Sequence, residues 1–170
     1  GIVEQLSAWE QGVDLVMIDV GAGIGADAVG FAGAADSVLL TCTPEPTAMT
    51  DAYATAKAIL SRDSHADLSL VVNMAGCHEE GLAVHKRMDA VARRHLGRSI
   101  PLAGVIPFDF SVVAAVKRRR PLSLLAGDTP AAVEIRGLAN TVLDDDAVSS
   151  AAPRAERGFL SGVLRAFRRS

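Results

Sequence analysis

"DLVMIDVGAGIG", residues 14–25, is the stretch whose reading decides the fold. Residues 15–20 are apolar except for Asp19, so the run predicts a buried strand with a carboxylate at its carboxyl end. Ligands of open α/β sheets bind beyond that end of the strands. A carboxylate placed there can hold Mg2+ directly or through a water. Gly21, Gly23 and Gly25 would let the following loop bring its backbone close to a phosphate. The same residues also read as a plain glycine-rich turn from strand to helix with a solvated aspartate.

The glycines are not a phosphate loop. G-x-x-x-x-G-K-[ST] needs a lysine followed by a hydroxyl residue. Lys57, Lys86 and Lys117 are the only lysines, and alanine, arginine and arginine follow them. A dinucleotide fingerprint fits only in its relaxed form, because "GAGIGA" ends in alanine. That rival reading wants an acid after the next strand; Glu45 is at about that place, between two prolines.

Working outward, residues 37–43, 68–74 and 102–106 are further apolar runs. None alternates, as expected of parallel strands covered on both faces. Helical spacing is predicted over residues 47–62, 79–96 and 110–119. A last helix starts at Pro130, with Thr129 as its N-cap, and runs to about residue 143. Alternating strands and helices give an α/β fold, a doubly wound and mainly parallel sheet. Apolar residues make up 49% of the 170 and aromatics only 4%. The first figure argues against disorder throughout, and the second suits a close-packed α/β protein better than a sandwich or a nucleic-acid stacking platform.

We expect the compact domain to occupy residues 1–143, a flexible linker residues 144–157 and an amphipathic helix residues 158–170. The net charge of −3 is uneven, with five arginines against Glu156 from Arg154 onward. At about 100° per residue, Phe159, Leu160, Val163, Leu164 and Phe167 share one side of a helix. Arg157, Arg165, Arg168 and Arg169 share the other. That is the pattern of a helix lying on anionic lipid; the alternative is a helix packed on the domain's own core.

Other residues read more plainly. Cys42 and Cys77 lack metal spacing and read as reduced thiols, which fits a cytoplasmic setting. His78 and His85 are about two helical turns apart, too far to share a zinc, and with His65 and His95 they read as solvated. Lys117, Arg118, Arg119 and Arg120 form a basic cluster at a helix end. It reads as a solvated terminus, a partner-docking patch or a non-specific DNA contact.

Four stretches in order carry a resemblance. "DLVMIDVGAGIG", "AADSVLLTCTPEPTAMTDAYATAKAI", "LVVNMAG" and "GVIPFDFSVVAAVKRRRPLSLLAGDTPAA" resemble the later part of MinD/ParA-type P-loop ATPases, above all the flagellar-number regulators. The resemblance covers about residues 12–143. It implies a P-loop NTPase-type fold whose N-terminal part, with the P-loop K-G-G-x-G-K-[ST], is expected upstream of Gly1. On that resemblance Asp19 is catalytic and bonds a Mg2+-bound water. Gly21, Ala22 and Gly23 form the turn that senses the γ-phosphate, and Asn73 reads adenine, although a strand-end turn residue is its other reading. Pro107 to Asp109 line the adenine slot, mainly through backbone groups, Asp109 reading equally as a helix N-cap. Glu45 and Thr47 face a second nucleotide-loaded subunit.

The implied protein is an ATP hydrolase using ATP and Mg2+. It forms an ATP-dependent homodimer that attaches peripherally to anionic lipid on the inner face of the cell membrane. Phe159, Leu160, Val163, Leu164, Phe167, Arg165, Arg168 and Arg169 would make that attachment, with a flagellar or positioning protein as partner and DNA less favoured. This chain alone is expected to be inactive and, with an apolar sheet edge exposed, poorly soluble. The reading from another class is a non-enzymatic adaptor that tethers a partner to the membrane.

Overall fold

In the computed structural model, residues 15–21 and 25–143 are described. A short helix, α1 (Ala26–Ala32), leads into β1 (Val38–Cys42). Then follow α2 (Pro46–Arg62), β2 (Leu68–Ala75), α3 (His78–Leu96) and β3 (Leu102–Pro107). After β3 come α4 (Phe110–Lys117), the single turn α5 (Leu122–Leu125) and α6 (Pro130–Leu143). The three strands form one parallel sheet in the order β1-β2-β3.

Strand pleat decides which residues meet. Leu40 pairs with Leu70 and Cys42 with Val72, and their side chains point to one face. Ala52, Ala56 and Ile59 of α2 and Val84, Met88 and Ala92 of α3 complete the core there. Leu70 is fully buried, so Leu70→Ala should cost about 2–5 kcal/mol through lost burial and the cavity left behind. On the other face α6 lies along β3, with Leu138 Cδ1 at 3.9 Å from where a Cβ on Gly104 would stand. Helices therefore cover both faces, as the sequence predicts.

Gly81 sets how closely α3 approaches the sheet. A Cβ at this buried position would lie 2.3 Å from Val105 Cγ1 and 2.7 Å from Cγ2. Only a residue without a side chain permits that separation.

Three expectations need correction. Residues 15–20 form no strand. They are exposed, Met17 to 78%, and their backbone has no ladder partner among the described residues. Apolar content alone does not make a strand, because its N–H and C=O groups must also be paired. The helix expected over residues 110–119 ends at Lys117, because Arg119 takes a left-handed φ of 50°. Arg119 N–H then bonds Val116 C=O at 3.0 Å and Arg120 N–H bonds Ala115 C=O at 3.1 Å, a Schellman ending. Thr129 does precede α6, but its hydroxyl donates to Ala126 C=O at 3.0 Å and caps nothing with its side chain.

Candidate functional site

The carboxyl ends of all three strands open onto one groove. Pro44 and Glu45 come from beyond β1, Met74 and Gly76 from the end of β2, Glu80 from α3, and Phe108 from beyond β3. The groove is shallow and open to solvent, with about 500 Å3 of accessible space.

Each wall has a local cause. The register between β2 and β3 breaks between Val72 and Ala75. At that bulge Met74 adopts φ 59°, a conformation that costs a non-glycine residue about 1 kcal/mol or more. Asn73 Oδ1 accepts the Met74 N–H at 2.9 Å and supports the kink. The bulge aims Met74 out of the ladder and into the groove. Phe108 is held opposite by its N–H, which donates to Ala75 C=O at 2.7 Å. Its ring meets Phe110 edge-on, with centroids 5.0 Å apart.

The two carboxylates of the groove are each tied locally. Glu45 lies at the N-terminus of α2 and accepts the Thr43 hydroxyl proton. That bond, more than any other, holds its carboxyl below the usual carboxylate range. Glu80, in the first turn of α3, accepts the Gly76 N–H at 2.6 Å.

Asp109 sits just behind the groove with both oxygens in use. Oδ1 accepts Ser111 N–H at 2.7 Å and caps α4; Oδ2 accepts Ala131 N–H at 3.3 Å, in the first turn of α6. Hydrogen bonding to Ser111 is the largest cause that lowers its pKa. The N-cap reading of Asp109 holds and its scope widens, since one carboxylate joins the starts of two helices.

Of the other anticipated residues, Asn73 and Pro107 stand next to groove-lining residues rather than among them. Phe108 lines the groove within the anticipated stretch from Pro107 to Asp109, whereas Met74, Gly76 and Glu80 were not anticipated. For Phe108, an aromatic just past a strand end was the signal available. Met74 had no signal, because a bulge is not written in composition. Thr47 is exposed on α2 with Pro46, Thr50 and Asp51 around a smaller hollow. Asp19 and Gly21 are exposed and hold no hydrogen bond among the described residues. Ala22, Gly23 and residues 144–170, including the whole anticipated lipid-binding helix, lie outside the described residues.

The lining suits the base of a nucleotide better than its phosphates. Phe108, Met74 and Pro44 offer apolar walls to a flat ring, while Glu45 and Glu80 repel anions and no cation lines the groove among the described residues. Among the described residues no group of three His, Cys, Asp or Glu could hold a metal ion. Asp19 alone does not fit a Mg2+ site. His85, set aside as solvated, is half-buried, with its Nε2 2.9 Å from Ile100 C=O.

Comparison with known proteins gives the site its family. The chain is 37% identical over 121 residues to the antiactivator FleN of Pseudomonas aeruginosa, covering 71% of this chain and 43% of FleN. It is 38% identical over 91 residues to the flagellum site-determining protein YlxH of Helicobacter pylori, covering 51% and 30%. A putative septum site-determining protein MinD of Nephroselmis olivacea is 30% identical over 156 residues, covering 92% and 55%. The chain belongs to the MinD/ParA family. The MinD cell division protein of Aquifex aeolicus shares its fold, with a TM-score of 0.50 at 19% identity over 65% of this chain and 45% of that one. No protein-family model matches. This member of the MinD/ParA family spans about a third to a little over a half of the length of the curated relatives it matches.

Proposed function

We propose that this chain is the base-binding portion of an ATP-dependent dimer and membrane switch. The process it serves is control of flagellar number or placement, with division-site placement less favoured. The observation that carries the reading is the groove where three parallel strands end. It has aromatic and thioether walls, and its one gap is the lack of cations for phosphates. The names of the relatives point to site determination at the flagellum and the septum.

ATP and Mg2+ would be held by a longer form carrying K-G-G-x-G-K-[ST], in which Asp19 positions the water of hydrolysis and Gly21, Ala22 and Gly23 sense the γ-phosphate. Phe108 and Met74 sandwich the base, with the Asn73 amide reading its edge. Glu45 and Thr47 meet the second subunit. Residues 158–170 attach the dimer to anionic lipid on the cytoplasmic side of the membrane. One such helix binds weakly, and two on a dimer bind far better through effective concentration.

Calorimetric titration tests the division of labour. The 170-residue chain should show no micromolar affinity for Mg-ATP, whereas the longer form should bind, and its Asp19→Ala variant should bind but not hydrolyse. Tight binding by the short chain, or unchanged turnover in the variant, would overturn the assignment. For the tail, Phe159→Glu or Leu164→Glu should abolish sedimentation with anionic liposomes while the domain stays folded.

A further inference from the structure

The α4–α5 segment has a surface that the nucleotide reading touches only at Phe110, whose ring meets Phe108. On α4 the one fully buried residue is Ala115. The exposed residues of α4 are Phe110, Val113, Val116 and Lys117; at about 100° per residue the first two and Lys117 lie opposite Ala115 and Val116 lies on the flank. The side of a surface helix that faces water is ordinarily polar, yet this one is apolar in three positions of four. Phe110 is 79% exposed and Val116 71%. Leu124, on the adjoining α5, is exposed to 71% as well.

Charge adds a direction. Lys117, Arg118, Arg119 and Arg120 close α4, all exposed, and no acid occurs from Phe110 to Gly127. We propose that the outer face of α4, with the basic cluster at its end, is a docking surface for an acidic amphipathic helix of a protein partner. Apolar side chains of that helix would cover Phe110, Val113 and Val116, and its carboxylates would meet the cations.

The geometry favours a protein over the other polyanions. Successive residues at a helix end diverge by about 100° each, and the left-handed turn at Arg119 spreads the four cations further. A flat lipid surface meets only part of such a cluster, whereas a peptide can follow it round. DNA would use the cations and leave Phe110 and Val116 without a partner. The chain's own tail is basic from Arg154 onward and offers no complementary charge.

The test uses the full chain and a fluorescent peptide of about 18 residues, with leucines at helical spacing and glutamates elsewhere, against a scrambled peptide of the same composition. Anisotropy should show the patterned peptide binding about tenfold more tightly than the scrambled one. Phe110→Asp should remove that preference, and Arg118→Glu with Arg120→Glu should weaken both peptides about tenfold or more. The basic tail is the same in all variants, so its own attraction for acid cancels. Melting temperature and circular dichroism check folding; Val116→Ser is a second apolar variant should Phe110→Asp fail to fold. Equal affinity for the two peptides, or loss of vesicle or duplex DNA binding in Phe110→Asp with no peptide preference in the parent, would overturn the proposal.

Discussion

The two ends of the sheet are built differently. At the amino end, loops are tied to one another across long stretches of sequence. The Arg98 guanidinium donates to Ser64 C=O at 2.6 Å and Ala66 C=O at 3.2 Å. Asp89 accepts from Arg93 Nε at 2.7 Å, Ser99 Oγ at 2.6 Å and Ile100 N–H at 3.0 Å. At the carboxyl end, Glu45 and Glu80 bond only residues two to four positions away, a bulge holds Met74 in a left-handed conformation, and Phe108 and Phe110 face solvent. The carboxyl end has its own long-range tie, from Asp109 to Ala131, but the walls of its groove are left open. The proposed binding groove is thus separated from the ties of Asp89 and Arg98, and substitutions in the two places should divide the same way.

Short of emptying the core at Leu70, the largest effect is expected between the ends, where α3 meets β3. Gly81→Ala drives a methyl into Val105, and overpacking of this kind costs about 1–3 kcal/mol. Denaturant unfolding should show the loss, and adding Val105→Ala should recover part of it. A Gly81→Ala chain as stable as the parent would show that α3 can move away from the sheet freely.

Next comes the staple. Asp89→Ala removes three hydrogen bonds to a carboxylate and leaves Ile100 N–H unpaired, for about 1–3 kcal/mol. The Ser99 hydroxyl and then Arg93 lower the Asp89 pKa from 3.8 to about 2. Because the folded value lies below the unfolded one, this stabilisation is fully present above about pH 4 and is lost as pH falls toward 2. Acid unfolding of Asp89→Asn should therefore show a shallower dependence over that window.

The open end should behave in the opposite sense. Met74→Gly relieves a left-handed non-glycine residue, so stability should stay level or rise by about 0.5–1 kcal/mol. Phe108→Ala, on an exposed ring, should change stability little. In the longer, nucleotide-binding form it should still weaken ATP about tenfold, since stacking on a base is worth ~1–3 kcal/mol. Equal losses of stability at both ends would break the comparison.

Legibility followed the same divide. Continuous apolar runs gave β1, β2 and β3, and Pro130 gave the start of α6 to the residue, because these depend on local composition and backbone limits. The run at residues 15–20 misled for the reason that composition reports burial, whereas a strand also needs a neighbour. In the groove, Glu45 was legible, though it was assigned to a subunit face. The sequence carries no mark of the bulge that turns Met74 inward. Nor does it mark the bond from Asp109 to Ala131, which joins residues 22 positions apart.

The smallest effect compares two helix ends with one backbone shape. α3 closes on Gly97 at φ 68°, and α4 closes on Arg119 at φ 50°. Glycine reaches this region without a steric penalty, whereas arginine's Cβ meets the neighbouring carbonyl at a cost of roughly 1 kcal/mol. Gly97→Arg should thus lose about that much and Arg119→Gly should gain somewhat less, because glycine also loosens the unfolded chain. Where stability alone decides, glycine suits both ends. An arginine at the second is expected only if its charge is used, which is what the docking proposal supplies. Arg119→Gly should therefore melt higher than the parent and bind the acidic helical peptide less tightly. A variant more stable and equally strong in binding would leave Arg119 outside the docking surface, with Lys117, Arg118 and Arg120 carrying the charge.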